Sequence, residues 1–248
     1  MGTRMPRPDA RTERRLSAFA RELEEALGGQ LVCLVLHGSA AGEEWVAGRS
    51  DLNIAIVVPR VTAEVLEALA PVVGRWRRHG FAVPVVLDDE YIARARDTFP
   101  MELEDIRRQH RVIAGRDVFA TLSLDPAALR RECEQEARGK LLRLRTLFLE
   151  AAATPRALEQ LMLDSLKSFL VVLRHLLGLR AGDAPFAYAD VLAAGEALLG
   201  TLPTMRRLLE RRAGLGRLDR RALHGAFAAY LGEIERIVAA VDALVPDA

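Results

Sequence analysis

Two apolar runs of this chain are joined by a short polar connection. The first run ends in Gly38-Ser39, and eleven residues later the second opens with Asp51-Leu52-Asn53. Glycine allows a backbone to pass close beneath a ligand, and such a turn leaves N–H groups and the Ser39 hydroxyl available to phosphate oxygens. On an extended strand, alternation puts Asp51, Asn53, Ala55 and Val57 on one face and Leu52, Ile54, Ile56 and Val58 on the other. Hard oxygen ligands beside a phosphate-holding turn are what Mg²⁺-dependent phosphoryl or nucleotidyl transfer requires, because the metal must touch protein oxygen and triphosphate together. Ser50, directly before the acid, joins the nucleotide-contacting set.

The elements that must carry these groups follow from periodicity. Asp9 to Leu27 repeats Leu16, Phe19, Leu23 and Leu27 at helical spacing and stops at Gly28-Gly29. Leu31 to Leu36 is a continuous apolar run bounded by glycines, as a strand buried on both faces should be. Leu52 to Val58 gives a second strand, Val61 to His79 a helix, Phe81 to Leu87 a third strand and Phe99 to Ile106 a fourth. Beyond Gly115 the pattern is helical throughout, over Pro126–Ala152, Arg156–Leu179, Tyr188–Leu199, Met205–Arg212 and Asp219–Leu244. The expected architecture is an α/β (α+β) mixed sheet domain over residues 1–122, followed by an all-α helical bundle over 123–248.

Composition narrows the classes. The 248 residues are 50% hydrophobic and 28% charged, the balance of a globular chain and not of a disordered one. Thirty-five basic residues against 34 acidic ones leave a net charge of +1, so no global field draws the protein to nucleic acid or an anionic membrane. Cys33 and Cys133 lack CxxC spacing, and no apolar run approaches a membrane span, so a reducing cytoplasmic setting is the expectation.

Gly38-Ser39 followed by Asp51-Leu52-Asn53 within an apolar strand resembles the signature of the DNA polymerase β-type nucleotidyltransferase superfamily, whose usual form is Gly-Ser and then Asp-hydrophobic-Asp. The resemblance covers roughly residues 8–120. The helical half is similar in kind to the bundles of kanamycin-nucleotidyltransferase-like and minimal nucleotidyltransferase proteins. It implies a nucleotidyltransferase-like fold in which Gly38 and Ser39 contact the triphosphate of an NTP, Asp51 is the first Mg²⁺ ligand, and an acceptor hydroxyl receives the nucleoside monophosphate. Asn53 stands where the family has its second carboxylate. An asparagine keeps a carbonyl ligand but supplies no negative charge, which weakens metal binding.

The family's third carboxylate lies on a later strand, and Phe99 to Ile106 offers Glu102, Glu104 and Asp105 for it. Strand alternation pairs Glu102 with Glu104 and opposes Asp105. Glu102, nearer the strand's start, is taken as catalytic residue and metal ligand with Asp51. In the resembling folds a cation of the helical half reaches a phosphate, and Lys140 and Arg143 are the candidates. The other function open to this chain is that of a nucleotidyltransferase-fold binding or scaffold protein without turnover.

The remaining patterns have plainer uses. His37, ending a buried strand, reads as a satisfied packing histidine rather than a base. The arginines from Arg206 to Arg221 read as a solvated bundle face, with RNA contact as the sharper alternative. Leu161, Leu166, Phe169, Leu170, Leu173 and Leu177 read as bundle core, with a dimer seam, and so a homo-oligomer, as the other use.

Overall fold

The computed structural model describes residues 9–42, 51–219 and 221–244. It divides into two compact units, Met1–Asp125 and Pro126–Ala248.

The first unit is built on four strands, β1 (Cys33–His37), β2 (Asn53–Val58), β3 (Val85–Asp88) and β4 (His110–Gly115), ordered β3-β2-β1-β4. β1 runs antiparallel to both β2 and β4, and β2 runs parallel to β3 through helix α2 (Ala63–Trp76). Helix α1 (Ala10–Leu27) starts where the Asp9 carboxylate accepts a hydrogen bond from the Thr12 N–H at 2.7 Å, a side-chain N-cap. Leu16, Phe19 and Leu23 of α1 and Val65, Leu69 and Val72 of α2 are buried together with Leu34, Leu36, Ile54, Ile56 and Val58 of the sheet. The opposite sheet face buries Cys33, Val35, Ala55 and Val57 against Ile92 and Ala95 of α3 (Asp89–Ala95) and Leu103 and Ile106 of α4 (Pro100–Arg108). The division of β2 into two faces is thus the one its alternation predicts.

The first unit departs from the expected elements in three places: the third strand, expected over Phe81 to Leu87, is Val85–Asp88 with Phe81 only bridging to Leu52; helix α3 has no counterpart among the expected elements; and the fourth strand lies elsewhere. The expected fourth strand, Phe99 to Ile106, is the helix α4, and the fourth strand is His110–Gly115. Phe99, Met101 and Leu103 alternate as a strand would, but Pro100 occupies the first helical turn, where its missing N–H costs nothing, and Leu103 and Ile106 then bury one helical face. β4 pairs with β1 from His37↔His110 to Cys33↔Gly115, with an irregularity between Leu34 and Val35. Gly115 closes this pairing at φ +78°, and a Cβ there would lie 2.2 Å from the Val32 carbonyl oxygen.

The second unit comprises α5 (Pro126–Ala151), α6 (Pro155–Ala181), α7 (Tyr188–Leu199), α8 (Pro203–Arg212) and α9 (Leu223–Asp242). α6 touches each of the other four. It is consequently buried nearly all round from Phe169 to Leu177, a pattern expected of a central helix rather than a surface one. The expected core positions Leu166, Phe169, Leu170, Leu173 and Leu177 are buried, and Leu161 is half-buried. Glu233 of α9, only 4% exposed, accepts hydrogen bonds from the Thr204 and Met205 N–H groups at 2.8 Å each. These are the donors left open at the start of α8, since Pro203 has none.

Two substitutions test these constraints. Gly115→Ala meets both a disfavoured φ and a backbone oxygen, and is expected to lower stability by about 2 kcal/mol or more. Denaturant unfolding reads it, and a midpoint like that of the wild type would contradict the account. Glu233→Ala strips two buried N–H groups of a charged acceptor, at an expected cost of about 2 kcal/mol. A thermal midpoint unchanged within error would show that water replaces the carboxylate there.

Candidate active site

The site is assembled by register. His37 at the end of β1 lies opposite Asn53 at the start of β2 and opposite His110 at the start of β4. Three polar residues therefore stand in one row across the sheet, at the end where Cys33, Val35, Ala55 and Val57 give way to polar side chains. Immediately past His37 the chain enters a 3₁₀ turn, Gly38–Ala41, with Gly38 at φ +66°. A Cβ at Gly38 would lie 3.0 Å from Nδ2 of Asn53, so only glycine brings this turn so close to the second-strand amide. The first half of the motif thus rests directly on the second.

Asp51 is exposed, two residues before the half-buried Asn53. Ser50 and the side chain of Ser39 lie outside the described residues, and Ser39 is placed by its backbone alone. Among the described residues no three His, Cys, Asp or Glu side chains are grouped to hold a metal ion. Asp51 and the Asn53 carbonyl form a sparse donor set. It fits a Mg²⁺ that takes its remaining ligands from water and from the triphosphate, since Mg²⁺ is commonly held by one or two carboxylates plus substrate phosphates.

The helical state of α4 rearranges the acids that alternation had sorted. Glu102 does not stand on a strand; it is exposed on α4, and helical geometry places it one turn from Asp105, with Gln109 a further turn along the same stripe. Glu104 faces elsewhere and is occupied by Arg107, whose Nε and Nη2 donate to its two oxygens at 2.7 and 2.8 Å. The stripe ends at the turn. A Cβ on Gly42 would lie 1.7 Å from Nε2 of Gln109, so that amide fills the space the glycine leaves. Asp105 is near enough to His37 for its charge to act on that ring. The segment beside the start of β2, Phe81 to Pro84, which bridges to Leu52, brings no carboxylate to Asn53.

His37 departs from the expectation of a satisfied packing residue, because its Nε2 is buried with no hydrogen-bond partner among the described residues. Burial pushes its pKa down to about 4, and the charge on His110 adds to this while the Asp105 carboxylate opposes it. The ring is therefore neutral near pH 7. His110 is held differently: Nδ1 lies 2.8 Å from the Ile106 carbonyl oxygen and Nε2 3.0 Å from Oδ2 of Asp117. Asp117 is held below the usual carboxylate range; burial opposes this, and the His110 contact together with the Ala120 and Phe119 N–H groups outweighs it.

The helical-half cations belong to the second unit. Lys140 is ion-paired with Glu136 one turn back on α5, and Arg143 is on an exposed face of the same helix. Gln109 and the unpartnered Nε2 of His37 went unread in the sequence, and Asp105, one of the three acids considered, was set on the wrong face. Proline at the first helical position of Pro100–Arg108 was the available signal for Asp105 and Gln109.

No family model matches this chain, and no curated protein matches its sequence. Among solved structures it resembles a spectinomycin adenyltransferase from Enterococcus faecialis, crystallised with ATP and spectinomycin. The TM-score is 0.58 at 13% sequence identity, over 90% of this chain and 98% of that one. The fold is a nucleotidyltransferase fold. With it come the mixed four-stranded sheet and the helical C-terminal part that the motif implied. No helix among the described residues is long and apolar enough to cross a membrane.

The buried ring makes a pH prediction. An unfolded histidine protonates near 6.5, whereas folded His37 stays neutral down to about 4, so in that window the unfolded state binds more protons. Stability contributed by neutral His37 is complete above pH 6.5 and is lost as pH falls to 4, by about 3 kcal/mol in all. The measurement is denaturant unfolding of wild type and His37→Gln across that range. The gap between them should narrow as the pH drops; a constant gap would mean that the ring titrates alike in both states.

Proposed function

We propose that this chain binds a nucleoside triphosphate at the Gly38–Ala41 turn and transfers its nucleoside monophosphate to an acceptor hydroxyl, with pyrophosphate leaving. The carrying observation is the contact between the two halves of the motif: the register His37↔Asn53 and the close approach of Gly38 to the Asn53 amide. A polyphosphate lying on the turn would thereby meet Asp51 and Asn53 without any rearrangement of the sheet. The solved neighbour, an adenyltransferase crystallised with ATP and spectinomycin, supports a nucleotide together with a separate acceptor.

In this reading the turn's N–H groups and the Ser39 hydroxyl hold the β- and γ-phosphates, with Ser50 beside them. Asp51 and the Asn53 carbonyl would hold Mg²⁺, which when bound supplies neutralisation of the charge that builds on the transferring phosphate. Glu102 and Asp105, sharing one stripe of α4, are the carboxylates that would accept the proton of the attacking hydroxyl. Neutral His37, its Nε2 buried, adds no positive charge that would oppose a bound cation. Lys140 and Arg143 remain the candidate phosphate-contacting cations of the helical half.

A second reading is favoured by one observation: Asn53 replaces an acid, and no carboxylate from the neighbouring Phe81–Pro84 segment makes up the charge. On that reading the protein binds nucleotide without turnover. Calorimetry with ATP and Mg²⁺, together with transfer of label from [α-³²P]ATP to a panel of hydroxylated acceptors, separates the two. The proposal expects ATP binding in wild type, a loss of at least about tenfold in affinity in Gly38→Ala, and faster transfer in Asn53→Asp, since a second carboxylate strengthens the metal site. Transfer confined to Asn53→Asp would favour the binding-only reading. Absence of ATP binding in wild type would contradict both.

A further inference from the structure

The arginine-rich stretch of the helical unit looks uniform in sequence and is not uniform in space. Arg206 is ion-paired with Glu196, and Arg211 donates from Nε to Glu159 at 2.9 Å. Arg212 is bound through Nη1 to the Leu163 carbonyl at 3.1 Å. Three of the cations that made a continuous nucleic-acid track conceivable are thus committed within the bundle. Arg217 and Arg221 are different: both are exposed, and among the described residues no carboxylate pairs with either guanidinium.

These two arginines line one cavity of about 540 Å³, together with Glu159, Arg211, Leu218 and Asp219. The volume is within the range of small-molecule sites, roughly 300–1,000 Å³. Its wall is prearranged. Arg211 is fixed on Glu159, and Asp219 is folded back so that Oδ1 accepts the Arg221 N–H at 2.9 Å, which ties the loop carrying Arg217 and Arg221 into a local turn. Half-buried Leu218 adds an apolar side chain to the lining.

We propose that this cavity is a second ligand site, separate from the strand-end site, and that it takes a small phosphate monoester of about nucleotide size. Two unpaired guanidinium groups match the two charges of a phosphate monoester, and their planar forks bind its oxygens bidentately. A polynucleotide is disfavoured because Arg206, Arg211 and Arg212, three of the neighbouring cations that would have to track successive phosphates, are committed within the bundle. The apolar wall and the carboxylates of Glu159 and Asp219 fit the uncharged remainder of such a ligand, where hydroxyl or amino groups need acceptors.

The test is calorimetric titration of the full-length protein with AMP and, separately, with inorganic phosphate, for wild type and for the double variant Arg217→Ala/Arg221→Ala. The proposal expects saturable binding in wild type and a loss of at least about tenfold in the double variant, with an unchanged thermal midpoint. Tighter binding of AMP than of phosphate would show that the cavity reads the organic part as well; equal affinities would assign recognition to the phosphate alone. Arg217→Lys/Arg221→Lys, which keeps charge but not the fork, should fall between the two. Binding that survives when the alanine pair is combined with Gly38→Ala, which removes the strand-end site, belongs to neither and overturns the proposal. So does the absence of AMP and phosphate binding alongside steeply salt-dependent binding of a single-stranded oligoribonucleotide. Repeating the AMP titration in Gly38→Ala distinguishes the sites, because loss at the strand-end turn leaves this cavity intact.

Discussion

The antiparallel register of β1 on β2 sets the candidate site of the first unit. Because His37 faces Asn53, the turn that leaves β1 and the residues that open β2 share one end of the sheet. A shift of one residue would turn Asn53 away and send Ile54 to its place, since side chains alternate across a strand. That slip is opposed by burial. Leu34, Leu36, Ile54, Ile56 and Val58 are packed under α1 and α2, while Cys33, Val35, Ala55 and Val57 are packed under α3 and α4. Each methylene moved to the wrong face would cost about 0.8 kcal/mol, so the hydrophobic pattern that makes the sheet also aims the polar row.

On that frame the site is sparse in charge. Its motif contributes one carboxylate and one amide, and the acids on α4 are divided, Glu104 by its ion pair with Arg107 and Asp105 by its place near His37. A buried, neutral histidine beside an amide makes the strand end less polar than two carboxylates would. On the proposed function, such a site would rely on the incoming triphosphate and its metal for most of the charge it has to balance.

Much of this was legible in the residues, and the parts that were not have a common cause. β2 could be assigned with its faces because apolar and polar positions alternate cleanly from Asp51 to Val58. The helical half was legible because α5 to α9 are long, periodic and punctuated by Pro and Gly. α4 was misread because Phe99, Met101 and Leu103 alternate over a span too short to distinguish a strand from a helix. That single error sorted Glu102 with Glu104 and set Asp105 apart, which is the reverse of the helical arrangement. β4 was hidden in a cationic stretch, Arg107 to Arg111, whose charges outweighed the short β-branched pair Val112-Ile113. The pairing of individual arginines, and with it the distinction between Arg211 and Arg217, depends on contacts between distant segments that no local pattern encodes.

The central claim is that the Gly38 turn and the start of β2 act as one nucleotide-contacting surface. Amide chemical-shift mapping during a titration of isotopically labelled protein with ATP and Mg²⁺ tests it most directly. The account predicts that the largest perturbations fall jointly on Gly38–Gly42 and on Asp51–Asn53, and that both groups saturate at one common affinity. Perturbations confined to other segments, or two groups that saturate independently, would contradict it.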